Sequence, residues 1–205
     1  TSPYGGGYPA VDGFRAYTSD DGGQTWQNYT TPELNGEGIT NIIHLRGTNG
    51  GVYIGTDRAV YYRNDNMPNW ALFNNQLPLS TYSVRLVPWY RGGKLRDGTN
   101  RSVYEADFYE QPAPQAQIAT DRQVVYCERD SVQFINYSGQ SAKDATWYWE
   151  FEGGNPATST AENPKVAYPT PGVYDVKLTV TDAFGTSTQT LKNLITTFSG
   201  CAPEP

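Results

Sequence analysis

The sequence has few of the residues from which metal and catalytic sites are usually built. Its 205 residues include one histidine, His44, and two cysteines, Cys127 and Cys201. A single histidine excludes a zinc site with two or three histidine ligands, and two cysteines exclude a four-cysteine site. His44 lies in the apolar run Ile42–Leu45, which favours a packed strand position over a catalytic one. We therefore expect no metal site, no cofactor and no catalytic residue in this chain.

Long apolar segments and basic runs are also missing. No stretch of about 18 apolar residues is present, so a membrane-spanning helix is not expected. The formal net charge is −6 and the pI is about 4.7, with no run of lysines or arginines. Such a surface does not attract phosphates, so we expect neither a nucleic acid partner nor insertion into a membrane.

Glycine, proline and aromatic residues are abundant instead. The 21 glycines and 14 prolines break helices, while 16 tyrosines, 7 phenylalanines and 5 tryptophans favour strands. Hydrophobic residues make up 37% of the chain, which is enough for a core. The composition therefore predicts an ordered protein of the all-β fold class.

A change in composition divides the chain. Residues 110–117, with the sequence EQPAPQAQ, hold two prolines and no large apolar side chain. We interpret this segment as a short extended linker between residues 1–111 and residues 112–200. Residues 201–205 resemble the start of a further linker. The opening Thr1–Tyr4, without methionine or signal peptide, indicates a mature or excised piece of a longer chain.

Both halves show the pattern of strands. In residues 173–182, apolar and polar residues alternate, which predicts a strand with one buried face. In the first half, strands separated by polar turns are predicted at residues 14–18, 25–29, 39–45, 51–56, 59–63, 70–73, 82–89, 93–98 and 102–108.

One segment of the first half carries a specific motif. The sequence SDDGGQTW has the pattern S-x-D-x-G-x-T-W at every fixed position: Ser19, Asp21, Gly23, Thr25 and Trp26. It resembles the Asp-box, a structural hairpin turn in the blades of sialidase-like and sortilin-like β-propellers. In such a turn Asp21 can accept hydrogen bonds from N–H groups, Gly23 can take a positive φ, and Trp26 packs at the start of the next strand.

Two further segments resemble propeller blades. Residues 52–63 look like the middle of a blade, with Ala59 in place of a usual glycine, and residues 94–105 look like a closing blade. With the Asp-box hairpin, this resemblance implies one full blade and three strands of a last blade. We therefore expect residues 1–111 to be terminal blades of an incomplete propeller, whose missing outer strand comes from the far end of the same ring.

The second half resembles a PKD domain, which is an immunoglobulin-like β-sandwich. The likeness is carried by WYWEF at 147–151, PGVY at 171–174 and LTVTD at 178–182. It implies a sandwich core that contains Trp147, Trp149, Phe151, Tyr168, Tyr174, Val176, Leu178 and Val180. The turn at residues 151–154 resembles a variant common in large secreted proteins of Bacteroidota, a lineage that often exports propeller–PKD chains through the type IX secretion system.

Acidic residues on turns are the strongest candidates for chemistry. They are Asp20, Asp21, Glu152 and Asp182. A glycosidase needs two carboxylates that face each other across a cleft, whereas these four lie on turns in both halves of the chain. We therefore expect structural or solvated roles for them.

Exposed aromatic residues could bind sugars instead. The candidates are Trp89-Tyr90 and Trp147–Trp149, because aromatic rings suit the apolar faces of sugars. The alternative for both groups is packing in a core or an interface.

Two covalent modifications are implied by the resemblance. Asp130-Ser131-Val132 resembles the O-glycosylation acceptor of Bacteroidota, with Ser131 as the modified residue. Cys127 precedes an early sandwich strand and Cys201 follows the last one, and terminal strands of such sandwiches can run side by side. Because a secreted chain meets an oxidising compartment, we expect a Cys127–Cys201 disulfide.

These features predict a non-catalytic spacer or adhesion region of a large secreted or cell-surface protein exported by type IX secretion. Its expected location is extracellular or on the outer cell surface. Its partners would be the remaining blades and domains of the parent chain, secretion-system or surface proteins, and glycans. Two alternatives stay open: an accessory region of a secreted glycoside hydrolase or peptidase with its catalytic residues upstream, and a polysaccharide-binding module.

Overall fold

The computed structural model describes residues 16–73, 82–126, 130–139 and 144–199. Within these ranges the chain forms seventeen β-strands and two short 3-10 helices, Pro32–Leu34 and Tyr90–Gly92, with no α-helix. In this described part of the chain, no helix is long and apolar enough to cross a membrane. The expected all-β fold class is confirmed.

The chain divides into two compact units. The first unit comprises Thr1–Trp89 and Gly93–Gln111, and the second comprises Tyr90–Gly92 and Pro112–Pro205. The strands of the first unit are β1 (Tyr17–Thr18), β2 (Gln27–Asn28), β3 (Ile39–His44), β4 (Val52–Thr56), β5 (Val60–Arg63), β6 (Ala71–Leu72), β7 (Ser83–Trp89), β8 (Lys94–Thr99) and β9 (Val103–Asp107). They form three antiparallel sheets in the orders β1-β2, β3-β4-β5-β6 and β7-β8-β9.

The two central strands of the four-stranded sheet, β4 and β5, are buried on both faces. On one face Ile54 belongs to an apolar cluster with Leu34 and Trp70. On the opposite face Tyr53 packs against the ring of Phe73, with 5.2 Å between ring centroids. Successive residues of β4 point to opposite faces, so burial of both faces explains why this strand is apolar at consecutive positions.

The three-stranded sheet is covered on one face only. Its inner face contains the buried Leu86 and Leu95, and β7 contacts β3 and β4 of the neighbouring sheet. Its outer face carries Val87, Trp89 and Val103, and Val103 is 68% exposed. The outermost layer of this unit therefore leaves apolar surface in solvent.

A buried polar network links these two sheets. The Ser83 hydroxyl donates to Asp97 Oδ1 at 2.7 Å and accepts from Asn41 Nδ2 at 3.1 Å, while Thr40 Oγ1 donates to the Ser83 carbonyl at 2.5 Å. Burial raises the pKa of Asp97, and the hydrogen bond from Ser83 acts in the opposite direction. Gly55 leaves room for this contact, because a Cβ there would overlap the Ser83 side chain.

The second unit is a sandwich of two sheets. Its strands are β10 (Ile118–Thr120), β11 (Val124–Val125), β12 (Ser131–Asn136), β13 (Thr146–Phe151), β14 (Thr158–Ser159), β15 (Lys165–Ala167), β16 (Gly172–Asp182) and β17 (Gly185–Thr197). One sheet has the order β10-β12-β15, and the other has the order β11-β17-β16-β13-β14. The pairing is antiparallel except between β11 and β17, which run parallel.

The core of the sandwich is aromatic at its centre. The ring of Phe134 lies 4.8 Å from that of Phe151 and 5.8 Å from that of Trp149, and the indole N–H of Trp149 donates to the Ala161 carbonyl at 3.0 Å. Among the residues expected in this core, the buried ones are Trp149, Phe151, Tyr168, Val176, Leu178 and Val180, and the half-buried ones are Trp147 and Tyr174.

The first unit does not establish the expected propeller. A propeller typically has four to eight blades of four strands each around a central channel. The described residues supply sheets of two, four and three strands, which is too few for a closed ring. The assignment of these sheets to terminal blades is therefore a proposal.

Candidate functional site

The turn at Asp21 is the most highly organised local site in the first unit. Asp21 Oδ1 accepts hydrogen bonds from the Ser19 hydroxyl at 2.8 Å and from the backbone N–H groups of Gln24 and Thr25, each at 2.9 Å. Its Oδ2 accepts from the Thr25 hydroxyl at 2.6 Å. These bonds, first of all that from the Thr25 hydroxyl, hold the pKa of Asp21 well below its usual range. The carboxylate is thus occupied in forming the turn between β1 and β2.

Glycine and tryptophan complete this turn in different ways. Gly23 has a φ of +92°, a left-handed conformation that favours glycine, and its N–H donates to the Ser19 hydroxyl at 2.7 Å. The Trp26 indole N–H donates to the Gly23 carbonyl at 3.0 Å. We expected Trp26 to pack at the start of the next strand, but its side chain is 63% exposed and lies over its own turn. No apolar layer covers this side of the hairpin in the described part of the chain.

The other acidic candidates also make local contacts. Glu152 Oε2 accepts from the backbone N–H of Asp175 at 3.1 Å, and Asp182 Oδ1 accepts from the N–H of Phe184 at 2.8 Å. Asp20 is exposed on the hairpin turn of the first unit. The described residues contain no group of three or more His, Cys, Asp and Glu side chains placed to hold a metal ion.

The position of His44 differs from the expectation. It lies on β3 as predicted, but its side chain is exposed, and Ile42 on the same strand is exposed too. Only Leu45, directly after the strand, is fully buried in this part of the apolar run. Ile42 and His44 point to the same face of β3, and in the described part of the chain that face is not covered, so the run is not a packed core segment.

The aromatic candidates for sugar binding are separated by the fold. Trp147 is half-buried and Trp149 is fully buried in the sandwich, whereas Tyr148 points outward and is 47% exposed. The ring of Trp89 is partly exposed, but the Arg96 guanidinium lies over it, 3.2 Å from the ring centroid. Tyr148 is therefore the aromatic residue of the 147–149 group that is available to a ligand.

The two expected modification sites are placed differently. Ser131 is the first residue of β12, where it is half-buried and pairs with Ala167. Cys127 and Cys201 lie outside the described residues. The described strands nearest to them, β11 and β17, run parallel with Val125 opposite Thr197, and Tyr126 stacks on Phe198 directly after them. The disulfide remains a prediction that this pairing supports.

Sequence patterns gave no sign of one partly buried cluster of tyrosine and glutamate side chains in the first unit. The Tyr62 hydroxyl donates to Glu110 Oε1 at 2.7 Å, and Asn64 Nδ2 donates to the other oxygen of Glu110 at 2.8 Å. The Tyr62 ring stacks on Tyr109, and the N–H of Tyr109 donates to the Tyr53 hydroxyl at 2.7 Å. These contacts fasten the end of the first unit to its four-stranded sheet. They join residues more than 45 positions apart, so no local motif could reveal them.

Comparisons with known proteins concern mainly the second unit. Residues 111–197 match the family model described as PKD domain. Among solved structures, the PKD1 domain of Vibrio anguillarum Epp is 32% identical, with 43% of this chain and 99% of that chain covered and a TM-score of 0.33. The PKD1 domain of the Vibrio cholerae metalloprotease PrtV is 36% identical, with 39% of this chain and 95% of that chain covered and a TM-score of 0.30.

A third structure matches over more of the chain but less closely. The extracellular domain of a Bacteroides thetaiotaomicron hybrid two-component system is 8% identical, with 85% of this chain and 27% of that chain covered and a TM-score of 0.33. The search of curated proteins gave no match. The family match, together with the two-sheet architecture of the same residues, identifies the second unit: residues 111–197 belong to the PKD domain family.

Proposed function

We propose that this chain is a non-catalytic extracellular spacer or adhesion region of a larger protein. The observation that carries the proposal is the PKD domain at residues 111–197, a family of non-catalytic modules. The acidic candidates support it, since Asp21, Glu152 and Asp182 accept hydrogen bonds from their own turns or from a neighbouring strand. Asp21 uses both of its carboxylate oxygens within its own turn, which favours a structural role for this residue over proton transfer.

The first unit is, in this proposal, the terminal part of an Asp-box β-propeller. The hairpin at Asp21, the four-stranded sheet and the three-stranded sheet have the strand numbers of a trailing hairpin, one full blade and an incomplete last blade. The central strands β4 and β5 of the four-stranded sheet are covered on both faces, as the middle of an inner blade would be. The exposed Trp26 on the hairpin and the exposed Val87 and Val103 on the last sheet are then the surfaces that further blades would cover.

The partners that follow from this assignment are other parts of the same parent chain. Strand β9 lies at the edge of the three-stranded sheet, so its outer N–H and C=O groups can pair with a fourth strand. We propose that this strand and the next blade come from the parent chain, and that the parent is carried to the cell surface by type IX secretion. The secretion route rests on the resemblance of residues 151–154 to a variant common in secreted Bacteroidota proteins.

An assay of the purified 205-residue chain tests the non-catalytic role. We expect no turnover of a panel of glycoside and peptide substrates. Turnover that a single substitution within the chain abolishes, with Asp21→Asn, Glu152→Gln and Asp182→Asn as the first variants, would overturn the proposal. Secretion is tested separately by surface proteolysis of the parent protein in cells with and without a functional type IX translocon.

Hydrogen exchange and size-exclusion chromatography test the blade assignment. Open blades leave unpaired edges and uncovered apolar faces, so we expect the isolated chain to self-associate or to show weak amide protection in the first unit. A monodisperse monomer with protected amides across residues 39–108 would show a self-sufficient domain and contradict the assignment.

A further inference from the structure

The outer face of the five-stranded sheet of the PKD domain is a regular array of hydroxyl groups. Strands β13, β16 and β17 pair in register, so their outward side chains form three rows across the sheet. These rows, which we call the threonine face, are Thr146–Thr181–Thr186, Tyr148–Thr179–Thr188 and Glu150–Lys177–Thr190. Neighbouring positions are about 4.8 Å apart across strands and about 6.8 Å apart along a strand.

Hydrogen bonds between neighbouring threonines orient the hydroxyls of this face and leave donors and acceptors for a ligand. Thr179 and Thr188 share one hydrogen bond at 3.1 Å, and Thr181 and Thr186 share another at 3.0 Å. Each hydroxyl has one donor and two acceptor lone pairs, so a bonded pair keeps one free O–H and several lone pairs for a ligand. The pairs therefore present fixed donors and acceptors at low entropic cost.

Tyr148 is the one aromatic residue in the array. Tyr148 lies in the middle of the three rows and is 47% exposed, whereas its chain neighbours Trp147 and Trp149 point toward the core. An aromatic ring with a hydroxyl at its tip can stack on the apolar face of a sugar and hydrogen-bond to its edge. The surrounding threonines supply the polar contacts that a sugar ring also needs.

The charge of the face indicates which ligand it suits. Within its three rows the charged side chains are Glu150 and Lys177, which form an ion pair at 2.7 Å. The three rows therefore carry no net charge in a chain whose net charge is −6, and the next charged positions on the same strands beyond the third row are the half-buried Asp175 and the exposed Lys192. A highly charged glycan would find no patch of opposite charge within the rows, and a protein partner would find little of the apolar centre that protein interfaces have.

We propose that the threonine face binds a neutral, extended polysaccharide, with Tyr148 stacked on a sugar ring and the threonine hydroxyls bonded to sugar hydroxyls. The proposal rests on the proposed non-catalytic role and names the partner of that adhesion region. Affinity from one ring is modest, so we expect weak binding by each chain and stronger retention when several chains bind one polysaccharide.

Binding of the 205-residue chain to cellulose, chitin and mixed-linkage β-glucan tests this proposal, with alginate as the charged comparison. We expect retention on at least one neutral polysaccharide, little on alginate, and a loss of affinity of about tenfold or more in Tyr148→Ala. Tyr137→Ala is the matched control, because Tyr137 is 60% exposed and lies outside the threonine face. The double variant Thr179→Val/Thr188→Val removes hydroxyls without changing side-chain shape, and it should also weaken binding.

Several results would overturn the proposal. They are an absence of binding to every neutral polysaccharide tested, equal binding to alginate, or equal affinity in Tyr148→Ala. If Tyr148→Ala lowers the thermal midpoint of the domain, the Thr179→Val/Thr188→Val variant decides the question. Absence of binding without any turnover leaves the non-catalytic role intact, whereas cleavage of a bound polysaccharide would refute that role itself.

Discussion

Removing the hydroxyl of Tyr62 should destabilise the first unit. Tyr62 is fully buried, and its hydroxyl donates to Glu110 Oε1 at 2.7 Å. Burial, followed by the hydrogen bond to Glu110 and its charge, raises the pKa of Tyr62 far above its usual range, so the phenol keeps its proton at any working pH. A hydrogen bond to a charged group contributes about 1.5–3 kcal/mol, and Tyr62→Phe should cost this amount while leaving the ring in place.

The same substitution at Tyr168 should have the opposite sign or no effect. Tyr168 is as deeply buried in the PKD domain, but its hydroxyl has no hydrogen-bond partner among the described residues. Burying an unpaired hydroxyl costs about 1–3 kcal/mol, so Tyr168→Phe should leave stability unchanged or raise it. The two variants therefore separate the effect of the hydrogen bond from the effect of burying a ring.

Hydrogen exchange with mass spectrometry is the suitable assay, because it reports each unit separately. Amides of β4 and β5 that exchange through unfolding of the first unit should exchange about ten- to a hundredfold faster in Tyr62→Phe. Glu110→Gln keeps an acceptor and removes the charge, so its effect should be smaller than that of Tyr62→Phe. An equal loss of protection in Tyr62→Phe and Tyr168→Phe would refute the reasoning, since hydrogen bonding would then not decide the cost.

Four further predictions concern single residues or one residue pair. Trp149→Ala removes a ring from the sandwich core and should destabilise the PKD domain by about 3–5 kcal/mol. Calorimetry would detect this as a large fall in the thermal unfolding midpoint of the domain, and an unchanged midpoint would contradict the core described above. Gly55→Ala should loosen the packing between the two larger sheets of the first unit, seen as faster exchange in β7, because its Cβ would overlap a side chain of that strand. The pKa of Asp21 in the folded chain lies below its ordinary value of 3.8, so its carboxylate stabilises the hairpin above that pH, and this contribution is lost as the pH falls toward the folded pKa. Asp21→Asn should remove this acid dependence of amide protection in the hairpin. An identical pH profile of protection in the variant would contradict the prediction. The Cys127–Cys201 disulfide should contribute about 4 kcal/mol in the chain-entropy model, and finding two free thiols in a denatured, unreduced sample would disprove it.

The period-2 pattern of the sequence accounts for much of the sandwich. In β16 the alternation of Val176, Leu178 and Val180 with polar residues predicts one buried face, and all three are fully buried. In β13 the pattern predicts that Trp149 and Phe151 share a face, and both lie in the core. Side chains of a strand alternate between two faces by geometry alone, so the sequence is sufficient to group them.

The same pattern does not tell which face is covered. The apolar run on β3 predicts packing, yet Ile42 and His44 are both exposed, because no layer covers their common face of this strand in the described part of the chain. Trp26 fits its motif position and is exposed as well, since no further layer covers the hairpin in the described part of the chain.

Long-range polar contacts depended wholly on the tertiary structure. Glu110 lies in a segment that its composition marks as a linker, and only the folded chain brings it to Tyr62, 48 positions away. Likewise, Ser83 and Asp97 look like surface residues of short strands until the neighbouring sheet buries them. For the PKD domain, the alternation in β16 and the inward residues of β13 could be predicted from the sequence, because they follow from local backbone geometry. Which surfaces meet was decided by packing between sheets, because a face is buried only when another layer covers it.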